Sequence, residues 1–417
     1  MTDPAPAASP ALRWPLWLVL LSGAGVFALT MGTRQTMGLF LGPLNSATGL
    51  GLGSISLAFA FGQLWWGLTQ PFAGIVADRI GAGRVLLVGV SLVALGTFLT
   101  PLMTTTGGLV LAIGVLAAGG AGMAGPAVLM SATARLIAPQ HRGIASGIVN
   151  AGGSFGQFAM APIAGALMLG LGWASAMQVL GLVVLLALPA AFVLKGHALQ
   201  MAAPSTAPSA ALPVGTRQAI GQALRERSYL LLAAGFFVCG FHVAFLATHL
   251  PGVIASCGLP VQWGAWALAL LGLFNIVGSV AIGWAVARWR MKSLLSLLYA
   301  ARALAVLVFL LAPKSGVVVL VFSAVMGLTF LSTVPPTAGL VAKFFGLSNM
   351  ATLFGIVMLS HQVGGFLGAW LGGRVFEASG SYDWVWIIDI VLAVGAALLH
   401  LPIREAPPVR TSAAAPA

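Results

Sequence analysis

The sequence predicts an all-α membrane protein: twelve transmembrane helices in two pseudo-symmetric six-helix bundles. Three observations lead there. The 417 residues are 59% hydrophobic and only 6% charged, with a mean hydropathy of +1.04, whereas a soluble domain is about a quarter charged. Apolar runs recur along the chain at about 20 residues each, the length at which a helix crosses a bilayer. The second half of the chain also repeats features of the first at a nearly constant offset.

In order, the spans fall at 14–41, 54–77, 84–102, 107–133, 143–168 and 173–194, then 228–255, 264–287, 291–312, 315–342, 350–376 and 384–402. Residues 195–227, rich in Ala, Pro and Ser, read as a cytoplasmic linker between bundles at 14–194 and 228–402, with tails at 1–13 and 403–417. The first residues lack a basic start, a short apolar core and a small-residue cleavage site, so the first helix is expected to serve as its own insertion signal.

A net charge of +12 is of the kind nucleic-acid binders carry, but fifteen of the nineteen Lys and Arg sit at alternate helix ends, from Arg13 through Arg79 and Arg84 to Arg404 and Arg410. That is the positive-inside pattern, and it predicts an inner-membrane protein with both termini cytoplasmic and no nucleic-acid partner. Cys239 and Cys257, both expected on or near the seventh helix, are too far apart to bridge. Metal-ligand spacings, nucleotide loops and nucleophile elbows are missing, so neither an enzyme nor a cofactor is expected.

A shift of 209 residues places Gly49 on Gly258, Gly74 on Gly283, Arg79 on Arg288 and Pro126 on Pro335, and a shift of 208 places Gly147 on Gly355. Two halves repeated in the same orientation are related by an axis along the membrane normal, with a substrate site between them near the midplane. The stretch GIVADRIGAGR, Gly74 to Arg84, resembles the loop signature of the major facilitator superfamily. The resemblance extends over the whole chain in helix count, linker and repeat. It implies alternating access and a latch formed by Asp78 and Arg79, for which Arg135 or Arg142 is the expected partner. The second copy has Ala287 where Asp78 stands.

Arg34 is the one ionisable side chain between Trp14 and Leu41. A charge at that depth costs at least a few kcal/mol and needs a partner or a task. Neighbouring spans offer no acid to neutralise it, so the missing anion is expected to be the substrate, since a guanidinium matches a carboxylate with two parallel donors. A structural arginine bonded to backbone carbonyls is the competing reading. The run GTRQTMGLFLGPL resembles the end of the first helix in the monocarboxylate transporter family, where a substrate-linked lysine stands at the place of Arg34. Bacterial members of that branch move small organic anions, commonly with a proton. The acid and arginine of that family's eighth helix are absent, and Asn275 is the strongly polar side chain there.

Further interior polar groups complete the candidate site. His242 lies level with Arg34 by the repeat, and His249 is two turns on along the same helix; each is a candidate proton carrier, or a neutral side chain bonded to a carbonyl. Asn150, Ser154 and Gln157 form one stripe of the fifth helix, with Ser360, His361 and Gln362 opposite them on the eleventh. His361 is a third candidate proton carrier. Gly152, Gly153 and Gly156, with Gly364, Gly365, Gly368 and Gly372, are expected to let helices approach closely. Gln63, Trp65, Trp66 and Gln70 are expected to line the pathway, and Pro335-Pro336 to break the tenth helix. Arg302 and Asp389 are expected to pair with each other.

These features together point to a monomeric secondary transporter for a small organic anion, a monocarboxylate by first choice, with a proton as the coupled ion and the lipid bilayer as its surroundings. The alternative is proton-coupled efflux of an amphipathic compound. APIAG in the fifth helix and GAWLGG in the eleventh partly resemble the signature of drug/proton antiporters.

Overall fold

A computed structural model describes residues 14–136, 142–195, 216–346 and 350–405. Twelve long helices run through them: Leu16–Thr48, Leu52–Ile80, Ala82–Leu102, Thr106–Thr133, Arg142–Leu171 and Trp173–Val193, then Arg227–Ser256, Val261–Val286, Met291–Leu311, Gly316–Phe345, Met350–Ser379 and Asp383–His400. Eleven of these are long and apolar enough to span a bilayer over the described residues; the second, 29 residues long, is diluted by Gln63, Gln70, Asp78 and Arg79. The linker ends in a short helix, Thr216–Ala223, whose Ala223 is buried in the core of the second half with Ile220 packed against it.

The repeat has a structural reason at its best-matched glycines. Gly49 and Gly258 follow the first and seventh helices with φ of 65° and 77°, a region that favours a residue without Cβ and stops a helix sharply. The tenth helix breaks between Thr329 and Val334, and Pro335 and Pro336 open its second segment. A proline has no N–H to give to the preceding turn, which frees the carbonyls of that turn for other donors.

Within each half the small-residue stripes let helices approach closely, as the sequence suggests. Gly152 and Gly156 lie on the backbone of Ala24 and Ala28 of the first helix, and Gly364 and Gly368 lie on that of Phe237 and Phe241 of the seventh. The contact between halves runs through the second and eleventh helices and the fifth and eighth.

This contact is one-sided. At the end away from the first helix's start, one apolar core joins both halves, with Leu39, Phe40 and Leu44 beside Phe245, Leu250 and Ile254. At the other end the cores separate. One holds Val19, Val90 and Leu194, the other Phe236, Val341 and Ile403. Gly74, Gly147, Gly283 and Gly355, near that end of the four interface helices, all border open space. The molecule is therefore closed at one end of the bundle and open at the end where the first helix begins.

Candidate functional site

Arg34 occupies the first helix one turn before a 3-10 turn at Met37–Phe40. Its Nη2 donates to the side-chain oxygen of Gln63 on the second helix, and the guanidinium carbon lies 4.8 Å from the centre of the Trp66 ring. Nη1 sits 3.9 Å from the sulfur of Met31. None of these neighbours is an anion. The ion pairs among the described residues are His242 with Asp389, Lys343 with Glu405, and Arg374 with Glu377. Asp78 lies fifteen positions along the second helix from Gln63, about 22 Å away at 1.5 Å per residue.

A narrow cavity opens beside the guanidinium. Arg34, Gln35 and Gln63 give it a polar side, Phe59, Val93 and Ile113 an apolar one, and Ala247 and Thr248 close it from the second half. Thr97, also on its wall, is buried with a hydroxyl that finds no partner. Ile113 and Ala117 belong to a π-helical stretch, Val110–Ala117, a distortion often found where helices line functional sites. The arrangement can hold one anion: a fixed cation with donors to spare, an aromatic face against it, and apolar walls that strengthen the attraction by excluding water.

The other sequence-based candidates scatter around this site. His242 is buried away from the cavity wall, with Nε2 3.1 Å from Asp389 Oδ1 of the twelfth helix, at an angle short of a formed hydrogen bond. The expectation that it faces the anion beside Arg34 is corrected. The repeat sets Val243 at the level of Arg34, and one residue along a helix turns the side chain by about 100°. His249 is also buried, and its Nε2 donates to the Ala369 carbonyl at 2.7 Å while Nδ1 meets no polar partner. Its position is that of a packing histidine.

Asn275 and Ser154 are brought together across the two halves: Asn275 Nδ2 donates to Ser154 Oγ at 2.8 Å, and Asn275 Oδ1 accepts from the Leu331 N–H at 3.0 Å, within the break of the tenth helix. Gln157 and Gln362 are buried nearby at the interface with unpaired amide nitrogens, Gln362 lying against Gly67. His361 is buried with its ring 4.9 Å from that of Phe236. Asn150 is exposed on the open side.

Two expectations concern charges elsewhere. Arg302 and Asp389 do not form an ion pair. The Arg302 guanidinium donates instead to the carbonyls of Thr329 and Phe330, which the break in the tenth helix leaves free. Of the latch residues, Arg79 is exposed, while the side chains of Asp78, Arg135 and Arg142 lie outside the described residues.

The fold and the family agree. The family model of the Major Facilitator Superfamily matches residues 23–368, and the chain belongs to that superfamily. It is a transporter rather than an enzyme. An uncharacterised MFS-type transporter of Bacillus subtilis, YcxA, is 25% identical over 94% of this chain and 95% of its own length. Monocarboxylate transporter 13 of Rattus norvegicus is 25% identical over 93% and 89%. Among solved structures, the nucleoside transporter NupG superposes with a TM-score of 0.77 at 15% identity, covering 93% of this chain and 99% of that one. A bacterial homologue of the human lysosomal transporter Spinster, in an inward-facing occupied state, gives 0.76 at 15% identity over 94% and 97%.

Proposed function

We propose that this chain moves a small organic anion, a monocarboxylate, across the inner membrane by alternating access with proton symport. The observation that carries the reading is Arg34: a guanidinium beside a cavity, held by a neutral amide and an aromatic face, with no anion among its described neighbours. A charge so placed is expected to take its counter-ion from the substrate. The monocarboxylate transporters among its relatives support the choice of anion. The bias of basic residues supports cytoplasmic termini, which makes the open end the cytoplasmic one. His242 and Asp389, and with them His361, supply buried protonatable groups.

Uptake of radiolabelled lactate and pyruvate into proteoliposomes across an imposed pH jump tests this. Accumulation that follows the proton gradient and is lost in Arg34→Ala is expected; accumulation indifferent to both would exclude it. The apolar part of the cavity wall, Phe59, Val93 and Ile113, favours one second reading, efflux of an amphipathic compound. That reading requires transport to survive Arg34→Ala.

A further inference from the structure

Deep in the second half lies a set of charged groups that the Arg34 site does not use. Asp389 of the twelfth helix and Arg302 of the ninth are 0% and 1% exposed. A buried charged group is normally saturated with hydrogen bonds, because each lone pair or N–H left over is costly. Here saturation is missing. Both carboxylate oxygens of Asp389, both ring nitrogens of His242, and Nε and Nη1 of Arg302 lack a hydrogen-bond partner of good geometry. His242 Nε2 approaches Asp389 Oδ1 to 3.1 Å. Arg302 stands on the ninth helix, which packs against the twelfth, and its own donors are drawn to the carbonyls of Thr329 and Phe330.

Other titratable groups stand on the twelfth helix and on the helices near it. The seventh brings His242 and Cys239, the latter with Sγ 3.0 Å from Thr333 Oγ1. The ninth brings Arg302 and Tyr299, whose hydroxyl donates to the Gly235 carbonyl. The eleventh brings His361, with an unpaired Nδ1. The twelfth adds His400, stacked on Tyr299 and bonded to its own helix through Ala396. No donor among these is committed to holding Asp389 as an anion.

We infer that Asp389, flanked by His242 and Arg302, is the site that binds the transported proton. One proton binds and none leaves: the carboxylate becomes a neutral acid, and the cluster gains one positive charge. As a carboxylate, Asp389 attracts the Arg302 guanidinium and competes with the Thr329 and Phe330 carbonyls. As an acid it releases the guanidinium to them. Protonation is thereby tied to the break in the tenth helix, whose Leu331 N–H also meets Asn275 at the contact between halves. The inference rests on the proton-coupled reading above and assigns its proton to a residue.

The test is infrared difference spectroscopy of the purified full chain titrated with acid, combined with lactate transport in proteoliposomes. A carboxylic-acid C=O band that grows as pH falls is expected in wild type. One component of it should be lost in Asp389→Asn, leaving the bands of the other six acids, and should be shifted in its pH midpoint in His242→Gln. The ratio of proton-driven lactate accumulation to lactate exchange should collapse in Asp389→Asn and recover in Asp389→Glu. A titrating band in Asp389→Asn identical to that of wild type, or an unchanged ratio there, would overturn the assignment. If Asp389→Asn fails to fold, the His242→Gln midpoint decides: a titration identical to wild type overturns it. Wild-type lactate accumulation that ignores the pH gradient sinks the symport reading by itself, and the band then still judges Asp389 as a proton site.

Discussion

Arg34 and Gln63 are hydrogen-bonded across the first and second helices, so the cation of the cavity is held by a neutral partner rather than an anion. Replacing that amide by an acid supplies the anion internally. Gln63→Glu is expected to pair with Arg34 and weaken binding of a monocarboxylate by about tenfold or more, as loss of one charge-assisted contact of about 1.4 kcal/mol would. Isothermal titration of lactate or pyruvate measures it. Binding at wild-type strength would show that the guanidinium does not face the ligand.

Glu377 on the eleventh helix places its carboxylate against Gly51 and Gly53 at the start of the second, on the closed side. A negative charge there meets the positive end of the helix, worth about 0.3–1 kcal/mol at an exposed site. A side chain at position 53 would push aside the exposed ends of Glu377 and Arg374. Gly53→Leu, which takes the carboxylate's seat altogether, should therefore loosen the closed end, and Glu377→Gln should do so more weakly. In a Cys257→Ser background carrying Thr248→Cys, labelling by an impermeant maleimide from that side should speed up in the same order.

Asn275 joins the fifth helix to the broken tenth through Ser154 and the Leu331 N–H. Asn275→Ala leaves that N–H buried without a partner, at a cost of about 1–3 kcal/mol. A lowered Tm of the detergent-solubilised protein is expected. Ser154→Ala removes only one neutral bond and should cost less, about 0.5–1.5 kcal/mol.

His249 donates to Ala369 and packs beside Phe245 and Tyr382. Replacing it by Asn should lower Tm, yet leave the pH profile of lactate uptake where it was. A shifted profile would return His249 to the coupling machinery.

How much of this was legible in the sequence follows from what each signal encodes. The spans could be read because an apolar run of bilayer length has few alternatives, and the repeat because Gly49 and Gly258 each end a helix in a conformation that suits glycine. Arg34 stood out for the same reason, being a charge where charge is costly. Facing was another matter. An offset between repeats matches depth and leaves rotation about the helix axis open, which is why His242 turned toward Asp389 rather than toward Arg34. Gln63 was legible as a lining residue, but its bond to Arg34 depends on which faces of two helices meet. For Arg302, equal depth with Asp389 suggested a pair. The guanidinium goes instead to carbonyls within the break of the tenth helix, ahead of Pro335-Pro336, which equal depth does not reveal.

The central claim, that Arg34 is the anion anchor, is tested most directly by thermal-shift measurements on purified wild type and Arg34→Ala with small carboxylates, phosphates and cationic drugs. A ligand that binds the folded form raises its apparent stability. Stabilisation of wild type by monocarboxylates, lost in Arg34→Ala, is the predicted result. Equal stabilisation of both proteins by any of these ligands would contradict it and make Arg34 part of the scaffold.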